Sequence, residues 1–259
     1  MPYAQLSDLD CGRVFYARHR SREIEGKLPA LVCLHGAGGS HLSWPAEIRR
    51  LPGAVVYALD LPGHGRSCGS GHRTIGEYEE VLVSFLDALN LRKAVVAGHS
   101  MGGAIALEVA LSHPDRVQGL VLVSSGAKLR VAPAILQGIL NNFEGMVRHL
   151  GDFTYGPAAP EELKRLGQQL MAGTSPEVMF GDFLACDAFD VMALLGEIRA
   201  PTMVISGTAD RLTPVKYASF LAQNIPGAQL VQVENAGHMV MLERPREVGD
   251  AVACFVASL

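Results

Sequence analysis

Ala94-Val95-Val96-Ala97-Gly98-His99-Ser100-Met101-Gly102-Gly103-Ala104 carries an apolar run into a G-x-S-x-G turn, and Ala104–Ala110 continues as a helical segment. A strand that reverses this sharply into a helix holds its turn residue in a strained backbone conformation and lifts that side chain clear of the sheet. Ser100 occupies the turn. Crowding there leaves little room two positions to either side, a need that Gly98 and Gly102 meet. Gly103 and Ala104 extend the small-residue run, so the helix can approach neighbouring strands closely. The helix start aims backbone N–H groups and a partial positive charge at the turn, and both favour a developing oxyanion. In this strand–turn–helix context Ser100 reads as a nucleophile.

A serine hydroxyl attacks poorly until a base removes its proton, and an imidazole does so best when an acid fixes its tautomer. The C-terminal part supplies both partners. Gln229–Val233 reads as a strand, and Asn235-Ala236-Gly237-His238 forms a turn before a helical segment from Pro245; of nine histidines only His238 lies beyond residue 190. Thr202–Ser206 reads as a buried strand, and Gly207-Thr208-Ala209-Asp210 leaves its C-terminal end before Pro214 opens the next helix. The chain order Ser100, Asp210, His238 is the order of nucleophile, acid and base in α/β-hydrolases.

With these segments in view, the chain resembles the α/β-hydrolase superfamily, in particular its small, cap-bearing serine esterases and hydrolases, over nearly its whole length. The likeness rests also on His35-Gly36-Ala37-Gly38-Gly39 after Leu31–Leu34 and on Asp60-Leu61-Pro62-Gly63-His64-Gly65-Arg66-Ser67 after Val55–Leu59. Gly207…Asp210…Pro214 and Gly237-His238…Glu243-Arg244-Pro245 complete it. The resemblance implies a triad of Ser100, Asp210 and His238. It also implies an oxyanion hole from the Ala37 and Met101 amides, with Gly38 a second candidate on the first side. It assigns His35 to loop structure. His99 is expected to point away from the serine, as a structural group or at the pocket base. Asp60 precedes the serine and is read as holding the Gly63–Ser67 turn. Asp187 and Asp190 follow no strand-like run, and the strand Gly119–Val123 ends in Ser124-Ser125-Gly126, with no acid.

Strands Cys11–Arg18 (near an edge), Leu31–Leu34, Val55–Leu59, Ala94–Ala97, Gly119–Val123, Thr202–Ser206 and Gln229–Val233 alternate with helical patterns. Apolar strand runs indicate burial on both faces, hence an α/β fold: a mostly parallel central sheet flanked by helices. Ligands bind such sheets beyond the strand carboxyl ends, where all the candidate residues fall. From Lys128 to Asp190 the strand signal gives way to helices, which resembles a helical cap (128–190) inserted into a core of residues 1–127 and 191–259. Its apolar residues, among them Phe143, Leu150, Met171, Met179 and Phe183, are expected mainly to form the cap's own core, with a minority roofing an apolar pocket.

A formal net charge of −4 gives no basic field for nucleic acid. Five scattered cysteines (Cys11, Cys33, Cys68, Cys186, Cys254), odd in number and without C-x-x-C spacing, read as reduced thiols rather than disulfides or a zinc site. The start, Met1 to Asp8, lacks a signal-peptide pattern, and no apolar run is long enough for a membrane span. The expectation is a cytoplasmic monomer or small homo-oligomer acting on a small-molecule ester through an acyl-enzyme, with no cofactor and no metal. Carbon–carbon bond, enol-lactone and thioester hydrolysis, cofactor-free perhydrolase or haloperoxidase chemistry, and a receptor of the same fold are the alternatives that the resemblance leaves open.

Overall fold

Eight strands form one sheet in the computed structural model, which describes residues 3–6, 12–20 and 28–259. They are β1 (Tyr3–Leu6), β2 (Gly12–Arg20), β3 (Leu31–Leu34), β4 (Val55–Leu59), β5 (Ala94–His99), β6 (Val117–Val123), β7 (Thr202–Gly207) and β8 (Gln229–Val233). Their spatial order is β1-β2-β4-β3-β5-β6-β7-β8. The β1–β2 and β2–β4 pairs are antiparallel and the rest parallel. Parallel pairing needs a long crossover, and helices provide it. α1 (Ala46–Arg49), α2 (Ile75–Ala88) and α3 (Met101–Ser112) follow β3, β4 and β5 in turn. Four more, α4 (Pro133–Asn141), α5 (Phe143–Thr154), α6 (Glu161–Ala172) and α7 (Pro176–Ala188), lie between β6 and β7. The helix α8 (Val215–Asn224) follows β7, and α9 (Val240–Glu243) and α10 (Pro245–Ala257) follow β8.

Two apolar layers clothe the sheet, and the alternation of β3 assigns its residues to them. Leu31 and Cys33 join Trp44, Ile48, Val248 and Val252 on one face, while Val32 and Leu34 join Tyr78, Leu82, Phe85 and Ile105 on the other. Every residue of β3, β5 and β7 is buried, as expected of strands covered on both sides. Each large side chain taken fully out of water here, Phe85 for example, contributes about 1.5–3 kcal/mol.

The structure departs from the sequence reading at several places. β1 had no counterpart in it: Tyr3–Leu6 is four residues long, and its pairing to β2 is a tertiary contact that no local pattern announces. The second strand runs from Gly12 to Arg20, while Cys11 lies outside the described residues. β8 is an edge strand with Gln229, Leu230 and Gln232 exposed and Val233 buried, so it is not covered on both faces. A short helix, α9, stands between His238 and Pro245. Where the four inserted helices leave and rejoin the sheet, Lys128 and Asp190 form an antiparallel bridge, and Val191 N–H donates to the Ala127 carbonyl at 2.8 Å. Among the described residues no helix is long and apolar enough to cross a membrane.

Candidate active site

Ser100 sits between β5 and α3 with φ 52° and ψ −115°, a conformation that costs a non-glycine residue free energy and is kept only where the surroundings impose it. The Ser100 N–H donates to the Val123 carbonyl (2.9 Å), and the Ser100 carbonyl accepts from Ser125 Oγ (2.8 Å) and Gly103 N (2.9 Å). A methyl group at Gly98 would overlap the Gly102 carbonyl, one at Gly102 the Leu34 carbonyl, and one at Gly103 the Ser125 side chain. The small residues are thus a packing requirement of the turn.

Asp210, just beyond β7, is saturated with donors. Its Oδ1 accepts from the Leu212 and Thr213 amides, both at 2.9 Å, and its Oδ2 accepts from His238 Nδ1 (2.9 Å) and Thr213 Oγ1 (2.8 Å). Burial alone would raise its pKa. The His238 charge and these hydrogen bonds outweigh burial and hold it below the ordinary carboxylate value. His238 therefore carries its proton on Nδ1 toward Asp210, leaving Nε2 as the basic nitrogen.

The loop bearing His238 is pinned from several sides. Its N–H donates to the Thr154 carbonyl at 2.8 Å, its carbonyl accepts from His99 Nε2 at 3.1 Å, and the preceding Gly237 amide donates to Glu243 at 3.0 Å. Glu243 also accepts the Gly156 amide at 2.9 Å, so one buried carboxylate ties the end of α5 to the histidine loop. Burial, then the charge of His238, pushes His99 down to about 3, so that ring stays neutral as a structural donor.

On the opposite side, His35 Nε2 accepts the Leu61 amide (3.0 Å), which places its proton on Nδ1, donating to the Gly36 carbonyl (2.8 Å). Burial, reinforced by His64, lowers His35 to about 4. The Gly39 amide closes the turn onto Gly36 O at 3.0 Å, and the Gly38 amide donates to Asp182 Oδ2 at 2.9 Å. Gly38 is therefore spoken for, whereas the Ala37 amide and the Met101 amide at the start of α3 have no acceptor among the described residues. Asp60 accepts the Arg66 amide and Ser67 Oγ, holding the Gly63–Ser67 turn.

Ser100, His238 and Ala37 border one cavity of about 120 Å³, walled mainly by apolar side chains that include Leu150, Met171 and Phe183 of the inserted helices. No hydrogen bond joins Ser100 to His238 directly; such contacts often tighten only around a substrate. A second lobe of about 50 Å³ shares Ala37, Thr154, Met171 and Met239 and reaches toward Gly151 and Gly167. Phe143, Met146, Met179 and Phe180 of the insert pack on one another around Ile139 and Val147, whereas Leu129, Ala185, Cys186 and Phe189 join the core of the sheet. Among the described residues no cluster of three or more His, Cys, Asp or Glu could hold a metal.

Thr213 and Asp182 were not singled out in the sequence, and Ser125 and Glu243, though they stand in quoted segments, were given no role. Thr213 alone left a local signal, because an aspartate that accepts the amides two and three residues on is a recognisable turn pattern. The other three act across 25 residues or more, or at the far end of a loop, and no spacing rule reaches them.

A family model described as alpha/beta hydrolase fold matches residues 29–245. The chain belongs to the α/β-hydrolase family. It is 32% identical over 253 residues to the putative carbamate hydrolase RutD of Azorhizobium caulinodans, covering 92% of this chain and 91% of that one. It is 30% identical over 241 residues to the pimeloyl-[acyl-carrier protein] methyl ester esterase of Yersinia enterocolitica, covering 87% and 92%. The solved structure of a thermophilic esterase superposes with a TM-score of 0.85 at 32% identity, over 99% of this chain and 96% of that one.

Proposed function

We propose that this protein is a serine hydrolase that cleaves carboxylic esters of small, largely apolar substrates through an acyl-enzyme. The observation that carries the reading is the donor-saturated Asp210 bound to His238 Nδ1 on the wall of the cavity that also holds the strained Ser100. The similarity to esterases in sequence and structure supports it.

In the mechanism, His238 Nε2 takes the Ser100 proton as Oγ bonds to the ester carbonyl carbon. The carbonyl oxygen becomes an oxyanion held by the Ala37 and Met101 amides, and Asp210 stabilises the imidazolium. The tetrahedral centre collapses, the carbon–alkoxy bond breaks, and His238 returns the proton to the departing alcohol. Water then repeats both steps on the acyl-enzyme and releases the acid. The two cavities share Ala37 in their walls, and in this reading one takes the acyl and the other the alcohol portion. Residues 128–190 act as a cap over a core of 1–127 and 191–259.

The test is turnover of a p-nitrophenyl ester series with fluorophosphonate labelling. The native protein should hydrolyse the short-chain members and label at Ser100, and Ser100→Ala should do neither while remaining folded. Retained turnover in that variant would remove Ser100 from the chemistry.

A further inference from the structure

Asp182 lies near the middle of α7, fully buried, where an aspartate is both a poor helix former and costly to desolvate. Three donors from three separate parts of the sheet domain compensate it. Oδ1 accepts from Tyr78 of α2 (2.5 Å), and Oδ2 accepts from His64 Nε2 (2.8 Å) and from the Gly38 amide (2.9 Å). The other His64 nitrogen, Nδ1, faces the Pro62 carbonyl at 3.0 Å. A carbonyl only accepts, so Nδ1 carries a proton. A proton therefore lies between Nε2 and Oδ2, and the two side chains form a wholly buried hydrogen-bonded pair. Burial opposes a charge on His64, and the Asp182 carboxylate overcomes burial and raises the His64 pKa.

The inserted segment holds Gly38 from both sides. Its N–H goes to Asp182, and its carbonyl accepts from Thr174 Oγ1 at 3.2 Å. Gly38 has φ 64°, and a methyl group there would run into the Met179 side chain on the same helix as Asp182. With the Gly39 amide bound to Gly36 O, the Ala37 amide alone among those of residues 37–39 is left unpaired beside Ser100. Asp182 itself does not border the cavity.

We propose that Asp182 is a positioning residue for the oxyanion hole: from the inserted helix α7 it locks the Gly38 peptide, and so keeps the Ala37 amide aimed into the Ser100 cavity. This rests on the reading of Ser100 and Ala37 given above. Packing of the insert and assembly of the oxyanion hole then become one event. The functional cost of losing the clamp is a misaimed donor, which lowers the rate of the bond-making step more than it weakens substrate binding.

The experiment compares the native protein with Asp182→Ala, Asp182→Asn and Tyr78→Phe. The readouts are kcat and KM on p-nitrophenyl butyrate, the second-order rate of Ser100 labelling by a fluorophosphonate, and the melting temperature. In labelling, Ser100 Oγ bonds to phosphorus, fluoride leaves, and the phosphoryl oxygen occupies the oxyanion hole, so this readout does not depend on the natural substrate. The alanine variant should lose about 10–100-fold in kcat and in labelling rate with KM within about threefold. The isosteric asparagine variant, which keeps the volume but sets an NH2 group against the donors that face the carboxylate, should lose at least about tenfold, and it carries the test should the alanine variant not fold. Tyr78→Phe removes a donor to Oδ1 and the acceptor of the His72 amide and leaves the Gly38 contact, so its melting temperature should fall while kcat stays within about threefold of native. Native kcat and labelling in folded Asp182 variants would overturn the proposal, as would a Tyr78→Phe loss of rate equal to theirs. Absence of Ser100 labelling in the native protein would instead overturn the serine-hydrolase reading itself.

Discussion

Asp210 has all its near lone pairs filled by two amides, a hydroxyl and an imidazole, and this defines what single changes there should do. Asp210→Asn keeps the volume but presents an N–H or a weaker acceptor to His238, favouring the wrong tautomer. The expected outcome is a drop in kcat of about 10⁴-fold with unchanged near-UV circular dichroism. Thr213→Val removes the hydroxyl that donates to the carboxylate and lies 3.2 Å from His238 Nδ1, and leaves the Asp210–His238 bond, so kcat should fall only about tenfold in the same assay. The placement of Ser100, Asp210 and His238 beyond the ends of β5, β7 and β8 was legible in the sequence, because strand ends are marked by short apolar runs. Thr213 could have been read from its spacing to Asp210. Glu243 stood in a quoted motif without a role and Asp182 was not singled out, because a buried carboxylate looks like any surface acid until the amides that face it are known.

Among the elements, the glycines separate into those that packing demands and those that it does not. Gly98→Ala and Gly102→Ala would each press a methyl group into backbone carbonyls, destabilising the fold by about 1–3 kcal/mol or more. At about 2–4 °C per kcal/mol for a chain approaching this size, melting temperatures should fall by several degrees. Gly76 lies in the first turn of α2, between Thr74 and Glu77 of the capping box, and a methyl group there meets open space. Gly76→Ala should therefore stabilise, by up to about 1 kcal/mol. Strand positions were legible at this scale because β3, β4 and β8 coincide with the runs that announce them. β1 was hidden because four residues with a single outward polar side chain contain too little pattern, and the burial of β8 was overestimated because an edge cannot be told from a centre without its neighbours.

Across the whole molecule, buried imidazoles should shape stability against pH, and they oppose one another. His35, held at about 4, and His99, at about 3, take up protons in the unfolded chain near pH 6.5 but not in the folded one. Their contribution falls as pH drops from about 6.5 toward 4. The His64 pKa is raised, so the stability it contributes is complete below about 6.5 and is lost as pH climbs through its folded value. Melting temperature measured from pH 4 to 9 should pass through a maximum near about 6–7, and Asp182→Asn should flatten the alkaline side. A native profile flat across that range would contradict the raised His64 pKa. The neck at Ala127–Lys128 and Asp190–Val191, where the two connecting backbones run side by side, has a consequence for how such proteins diversify. A cassette whose two ends are already neighbours can be exchanged between homologous scaffolds without re-registering any strand. New substrate tastes can then be acquired by recombination at two adjacent points, rather than by rebuilding the sheet that holds the reactive groups.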